Sequence, residues 1–358
     1  MNEKQILVIN PNPKNTMIAV YENNKVVFLK TARHKEGELA KFDELLDQEK
    51  WRTDIVLTEL KENDIDLNKI DIIIARSGLI KPVESGAYEV NDAMIKDLKK
   101  GIIGHHAHNL GGLIARNLLT HLTNAKAYIA DPIVVDEMQA VARISGNPMF
   151  ERKSVFHALN QKTVARKYAK SVSKEYEDLN LVVVHIESGV SIGAHKAGRV
   201  IDVNQTFDGG GPFSFERAGT LPVGDLLRMA FSGKYSEKDL FKLINEESGL
   251  KAYLGVNSMA EMEDRVRGGD ERAEFIMHAM AYQIAKSIGG KYAVLEGEVD
   301  AIILSGEPFH CKIFIDRISK HVHKIAPIAV YPNEDAMEAM AINGLAILRG
   351  EKEIKEYK

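Results

Sequence analysis

Residues 181–225 read LVVVHIESGVSIGAHKAGRVIDVNQTFDGGGPFSFERAGTLPVGD. The apolar run 181–184 has the composition of a buried strand. It stops at a polar turn, His185-Ile186-Glu187-Ser188-Gly189. A second strand is expected over 190–195, then a tight Lys196-Ala197-Gly198 turn and a third strand over 199–203. The stretch continues into Gly209, Gly210 and Gly211, and into Arg217 within Glu216-Arg217-Ala218-Gly219. Glycine lets backbone N–H groups approach an anion closely, and arginine supplies a planar cationic fork. Taken alone, the segment reads as an ordinary sheet with polar turns.

The pattern occurs twice. At the N-terminus the apolar run 6–9 leads into Asn10-Pro11-Asn12-Pro13-Lys14-Asn15-Thr16, then a strand over 17–21, a turn at 22–25 and a strand over 26–29. The second copy's loop is one residue shorter. Each meander is followed by helical and strand patterns in alternation, which predicts two similar halves, each a mixed sheet with helices on its faces. Polar loops at corresponding strand ends place a ligand in a cleft between the halves.

A chain of 358 residues fills two cores. Its 45% hydrophobic and 27% charged content is that of a soluble globular protein, and a net charge of −4 leaves no footprint for nucleic acid. No apolar run has the length of a signal peptide or a membrane span. The single cysteine, Cys311, cannot form an internal disulfide, so a cytoplasmic protein is expected, with Cys311 structural.

Helical spacing is expected over 37–48 and 52–63, with Trp51 packing between them. The strand 70–75 ends at Arg76-Ser77-Gly78 and aims that arginine at the sheet edge; a surface ion pair is the commoner fate of such a residue. A capped helix is expected over 91–100. Next come three histidines, His105, His106 and His108, whose spacing hints at metal, but no acidic or cysteine ligand lies nearby. The segment leading to Asn109 therefore reads as a helix-opening loop. The strand 125–130 ends at Asp131, where α/β folds put ligand groups or a helix cap. Residues 149–153 are polar enough for a domain junction. A helix over 155–170 carries His157. The strand 299–304 precedes Ser305-Gly306-Glu307, and Glu334 precedes a last helix ending at Leu348. The terminal GEKEIKEYK reads as a solvated tail.

At full length the chain resembles the butyrate kinases, within the acetate kinase part of the actin-like kinase superfamily. The matching stretches include VINP, KPVESGAYEVN, HAHNLGG, DPIVVDEM, ERKSVFHALNQK, GAHKAGRVIDVN, FSFERAG, LPVGDL, VDAIILSG and IAPIAVYPNEDAMEA. The resemblance implies an α/β, duplicated actin-like (ribonuclease H-like) two-domain fold with a central cleft. Residues 1–150 plus about 335–358 would form one lobe, and 151–334 the other. It implies transfer of the ATP γ-phosphoryl group to a short-chain carboxylate, with magnesium, by a homodimer or higher homo-oligomer. Arg76, Asp131 and Arg217 match the family's catalytic positions. Asn10 and Glu334 match the magnesium positions, through water. His157 and His185 match histidines near the phosphates. His106 and Asn109, with Arg76, match the acid-binding side. Asn12, Lys14, Met17, Glu187, Ser188, Gly189, Gly209, Gly210, Gly211, Ser305, Gly306 and Glu307 fall at nucleotide positions.

Three loops depart from the family. Gly-Ser-Thr-Ser-Thr-Lys becomes Asn12-Pro13-Lys14-Asn15-Thr16-Met17; His-Met-Gly-Gly-Gly becomes His185-Ile186-Glu187-Ser188-Gly189; Leu-Thr-Gly-Gly becomes Leu304-Ser305-Gly306-Glu307. Donors and a lysine are lost and carboxylates are gained, so weak ATP binding is expected. A catalytically impaired paralogue that binds or regulates, and a kinase of the same fold with another phosphoryl donor or acceptor, stay open beside the acyl kinase.

Overall fold

The computed structural model describes residues 4–358 and divides into two units, Met1–Val135 with Asp335–Lys358, and Asp136–Glu334. The strands are β1 (Gln5–Asn12), β2 (Asn15–Glu22), β3 (Lys25–Arg33), β4 (Ile70–Ala75), β5 (Ala87–Glu89), β6 (Lys126–Ala130), β7 (Leu181–Ile186), β8 (Val190–Lys196), β9 (Arg199–Val203), β10 (Ala301–Ser305), β11 (Ile328–Tyr331) and β12 (Ile354–Lys355).

The first unit's sheet runs β12-β5-β6-β4-β1-β2-β3, and the second unit's runs β11-β10-β7-β8-β9. In each, an antiparallel meander (β1-β2-β3, β7-β8-β9) carries two further strands parallel to its first strand. The five-stranded core of one sheet therefore repeats in the other, which is the duplicated actin-like topology. The first unit adds β5 and β12 at the outer edge.

Burial follows from this order. Ile6, Leu7, Val8 and Ile9 have no exposed surface, because helices cover both faces of β1. The helix Ala336–Leu348 packs so closely that a side chain at Gly344 would overlap Ile6 and Ile74. In β7 the period of two separates the faces. Val182, Val184 and Ile186 join Met277, Met280 and Ile284 of the helix Glu271–Val294, whereas Leu181 and Val183 join Val164 and Ala165 of the helix Ala158–Ser171. Cys311 lies in the first of these clusters, and burial pushes its thiol pKa up. Among the described residues no helix is long and apolar enough to cross a membrane.

Three expectations change. Residues 136–150 belong to the second unit, not the first. The buried Glu137 carboxylate needs partners there: Lys162 Nζ at 2.9 Å and the Val200 N–H at 2.9 Å. The polar stretch 149–153 is an exposed loop end and no boundary. Residues 37–48 do not form one helix. A single turn, Glu36–Leu39, opens with the Glu38 carboxylate accepting from the Lys35 N–H at 2.9 Å, and a new helix, Gln48–Glu62, starts where the first was expected to end. Trp51 sits inside that helix and packs on His34 and Phe42, at 4.7 and 5.3 Å between ring centres.

The terminal tail is not solvated. Ile354–Lys355 pairs with β5, and Tyr357 is buried. The Tyr357 hydroxyl donates to Asp97 at 2.8 Å and accepts from the Lys81 N–H at 3.1 Å, while the Tyr357 carbonyl accepts from Asn91. Tyr357→Phe removes the acceptor of the Lys81 N–H and leaves Asp97 with Lys81 Nζ at 2.9 Å, and should lower the unfolding free energy by about 1–3 kcal/mol in urea titration. Unchanged stability would mean the tail is not anchored by this hydroxyl.

Candidate active site

In the first unit the polar positions gather at the ends of β1, β4 and β6. Asn10 pairs with Met17 across the β1–β2 hairpin, so the two side chains share a face. Asn10 is buried, and its Oδ1 has no hydrogen-bond partner. The loop expected to cradle phosphate is a tight hairpin: Asn12 pairs with Asn15, leaving Pro13 and Lys14 exposed at the tip. Beneath it lies Arg52, fully buried. Its guanidinium donates to the carbonyls of Asn12, Asn15 and Pro13 at 2.8, 3.1 and 3.2 Å, and to Gln48 Oε1 at 2.8 Å. Burial lowers the Arg52 pKa to about 10, which leaves it charged at neutral pH. Beside it, His34 touches Thr16 Oγ1 at 3.0 Å and has its pKa lowered to about 4, by burial and then by Arg52, so it is neutral.

Arg76 is buried directly after β4, and its N–H extends the β1 ladder to Ile9 O at 2.8 Å. The helix Asn109–Leu118 approaches so closely that a Cβ on Gly111 would lie 2.0 Å from the Arg76 carbonyl. Only glycine permits that contact, and it fixes the backbone from which Arg76 projects. Asn109 is fully buried, accepting from the Leu79 N–H and donating to the Gly104 carbonyl, so it braces the loop. His106 lies above it, accepting from the His108 N–H, the two rings 4.3 Å apart. Asp131 follows β6 in left-handed backbone (φ +40°). Its carboxylate accepts from Ser85 Oγ at 2.6 Å and the Gly86 N–H at 2.9 Å, and pairs with Lys352 Nζ at 3.2 Å. Lys352 also donates to Asn343. This net of bonds holds the unusual backbone in place.

In the second unit β7 and β10 end side by side at His185 and Ser305, with His185 Nδ1 2.9 Å from Ser305 Oγ. His157 caps the helix Ala158–Ser171, with its ring edge-on to His185 at 5.0 Å and Nδ1 2.8 Å from Ser191 Oγ. Arg217 is half-buried, donating to the Thr206 carbonyl at 2.8 Å and Ser188 Oγ at 2.9 Å. Burial lowers its pKa, and Glu187, Glu216, Asp208 and Glu246 oppose that shift. Gly189 lies against the Arg217 guanidinium. Ser214 Oγ donates to the Ser188 carbonyl and accepts from the Arg217 N–H, tying arginine and loop together. Glu187 is exposed, with its carboxylate 3.9 Å from His157 Nε2. Gly211 lies against the amide of Asn204, which donates to the Gly210 carbonyl, while Gly210 packs on the Gln205 backbone and Gly209 faces the Gly219 carbonyl. Gly306 (φ +110°) lies against the Ile186 carbonyl, where a Cβ would sit at 2.2 Å, and Glu307 beyond it is exposed. Glu334 is buried and paired with Lys167 at 2.9 Å.

A model of the acetokinase family matches residues 140–307. Butyrate kinase 2 of Clostridium acetobutylicum is 48% identical over 354 residues, covering 99% of each chain. The chain belongs to the acetokinase family. Two solved structures show the same fold. Porphyromonas gingivalis acetate kinase has a TM-score of 0.78 at 18% identity, covering 96% of this chain and 100% of its own. Entamoeba histolytica acetate kinase has a TM-score of 0.75 at 14% identity, covering 97% and 100%.

For an acetokinase, magnesium is the implied ion. Among the described residues no three His, Cys, Asp or Glu side chains converge as a protein metal cage. Magnesium usually keeps several waters and binds through one or two protein oxygens and substrate phosphates. The buried, unpartnered Oδ1 of Asn10 is suited to accept from a metal-bound water. Sequence reasoning missed Arg52, Ser191, Ser214 and Lys352. Lys352 lies in a tail whose charge read as solvation.

The Lys352–Asp131 pair leaves the carboxylate no exposed surface. Lys352→Met should therefore destabilise the protein by about 3 kcal/mol, through the uncompensated buried charge. Adding Asp131→Asn should recover most of that loss in urea titration. Additive losses would show that the two groups are not energetically coupled.

Proposed function

We propose that this acetokinase is an ATP-dependent carboxylate kinase of the butyrate kinase type. It would transfer the γ-phosphoryl group to a short-chain, straight or branched carboxylate. The carrying observation is the full-length likeness to butyrate kinase 2, with Arg76, Asp131 and Arg217 each held in a defined setting. In this reading a carboxylate oxygen attacks the γ-phosphorus. The new O–P bond forms as the bond to the β–γ bridging oxygen breaks, ADP departs, and no proton moves. Such a reaction needs positioning and charge neutralisation more than covalent help. In this reading Arg76 and Arg217 supply cations to the transferring group, Asp131 is the third catalytic residue, and His106 and Asn109 are assigned to the acid. His157 and His185 donate to phosphate oxygens. Magnesium, when bound, neutralises phosphate charge, and Asn10 and Glu334 are the residues assigned to it. A cytoplasmic homo-oligomer belongs to the same reading. Cys311 is a lone buried thiol, and Val223, Leu227 and Phe231 expose an apolar stripe along the helix Val223–Ala230.

The test is capture of acyl phosphate by hydroxylamine, with ATP, magnesium and a panel of short acids. Arg76→Ala or Arg217→Ala should lower kcat by roughly 10³-fold, and lysine at either position should restore it only partly. No acyl phosphate with any acid, or full turnover in either alanine variant, would overturn the reading.

Glu187 favours a second reading, an impaired kinase that binds or regulates. Its carboxylate faces His157 Nε2 and Arg217, where phosphate oxygens would bind. Mg-ATP should bind weakly, and Glu187→Gln should tighten it by roughly tenfold in calorimetry, about 1.4 kcal/mol. Micromolar binding by the unaltered protein, unimproved by the substitution, would refute this account of the loop.

A further inference from the structure

A line of buried polar side chains runs through the second unit and ends at His157. The Tyr176 hydroxyl lies 2.7 Å from His195 Nδ1, and His195 Nε2 lies 2.9 Å from Gln161 Oε1. Gln161 Nε2 lies 2.7 Å from Ser191 Oγ, which lies 2.8 Å from His157 Nδ1. His195, Gln161 and Ser191 have no exposed surface, and Tyr176 and His157 are buried. The first four lie behind His157, and none is used by the proposed reaction.

The chemistry of the groups orders their protons. An amide oxygen only accepts, so His195 Nε2 carries hydrogen. His195 is neutral, because burial, and then Lys162 and Arg166, hold its pKa well below the ordinary value. Its Nδ1 is therefore a lone pair that accepts from Tyr176. The Gln161 amide nitrogen donates to Ser191, which leaves the serine's own proton for His157 Nδ1. Every bond then points the same way, and the last one leaves hydrogen on His157 Nε2. The surroundings of that nitrogen agree: Glu187 faces it at 3.9 Å, and the His185 ring, bound to Ser305, stands beside it.

We propose that Tyr176, His195, Gln161 and Ser191 form a positioning relay that fixes His157 as its Nε2–H tautomer, so that a neutral imidazole presents an N–H donor to an anion. That the anion is a nucleotide phosphate rests on the proposed function; the tautomer does not. In the reverse arrangement, with the amide turned over, His157 would carry its proton on Nδ1 and offer a lone pair, which repels phosphate.

The test is nitrogen NMR of histidine-labelled protein at mildly alkaline pH, with the His157 signals assigned by their loss in His157→Gln. The unaltered protein should show an unprotonated Nδ1 and a protonated Nε2. Gln161→Glu removes the donor to Ser191; the carboxylate takes the serine proton, and His157 must then donate from Nδ1, so its tautomer should reverse. Gln161→Met breaks the line without imposing a direction and should give a mixture. If the side chain were only packing, both variants would change thermal stability and leave the tautomer alone. In the kinase assay Gln161→Glu should lower turnover about 10²-fold, with KM for the acid unchanged. An Nδ1–H tautomer in the unaltered protein, or an unreversed tautomer in Gln161→Glu, overturns the relay. The expected tautomers in a protein that makes no acyl phosphate would support the relay and count against the kinase reading alone.

Discussion

The Arg217 guanidinium is drawn out of water against the second unit's loops, and their geometry follows from keeping it there. A cation with little hydration must be given fixed acceptors. The Thr206 carbonyl sets the course of the chain after β9, and Ser188 Oγ sets the loop between β7 and β8. Ser214 then joins arginine and loop through its single hydroxyl. Phe207 lies under the guanidinium at 5.1 Å from its ring centre, covering the face that hydrogen bonds cannot.

The first unit solves a related problem at the corresponding place. Its β1–β2 hairpin is tied by Arg52, which donates to three carbonyls of the turn. In both units a guanidinium organises the loop between the first two strands, yet the two arginines come from different elements. Arg52 lies in the helix Gln48–Glu62, and Arg217 in the loop beyond β9. The duplicated sheet is thus a shared scaffold on which each unit fixes its loop differently. The outcomes also differ: Arg52 is fully buried, its guanidinium taken up by the hairpin and Gln48, whereas Arg217 keeps part of its surface exposed.

The fold was legible because apolar runs such as 6–9 and 181–184 are too continuous for any but doubly covered strands. The repeat of the meander gave the pairing as well. The candidate site residues were assigned mainly through full-length likeness, since Arg76 or Asp131 alone does not differ from a surface ion pair or a cap. The missed features share one cause. Arg52 and Gln48 fall at polar positions of a helix, and sequence alone cannot tell a buried polar face from a solvated one. The tail failed likewise: Tyr357 is buried and Lys352 partly buried among charges that read as solvent-facing. Ser191, Gly193 and His195 did carry a signal. They alternate along β8 on one face, and the small Gly193 leaves room for Gln161. Polar residues at period two in a buried strand mark a polar seam.

That seam bears on how the altered loops can work. A phosphate cradle built from glycine presents backbone N–H groups whose direction is set by the chain itself. On the proposed reading, where Glu187, Ser188 and Glu307 stand in place of the family's glycines, the donors left to an anion are largely side chains: the Arg217 fork, the Ser188 hydroxyl and His157 Nε2. A guanidinium always donates, but a hydroxyl and an imidazole can present either a proton or a lone pair. The direction of each must therefore be imposed from behind. Arg217 does this for Ser188, since a hydroxyl that accepts from a guanidinium has its own proton free for another acceptor. The buried line from Tyr176 does the same for His157. A loop poor in backbone donors can still present protons to an anion, provided the buried groups behind it fix which way those protons point.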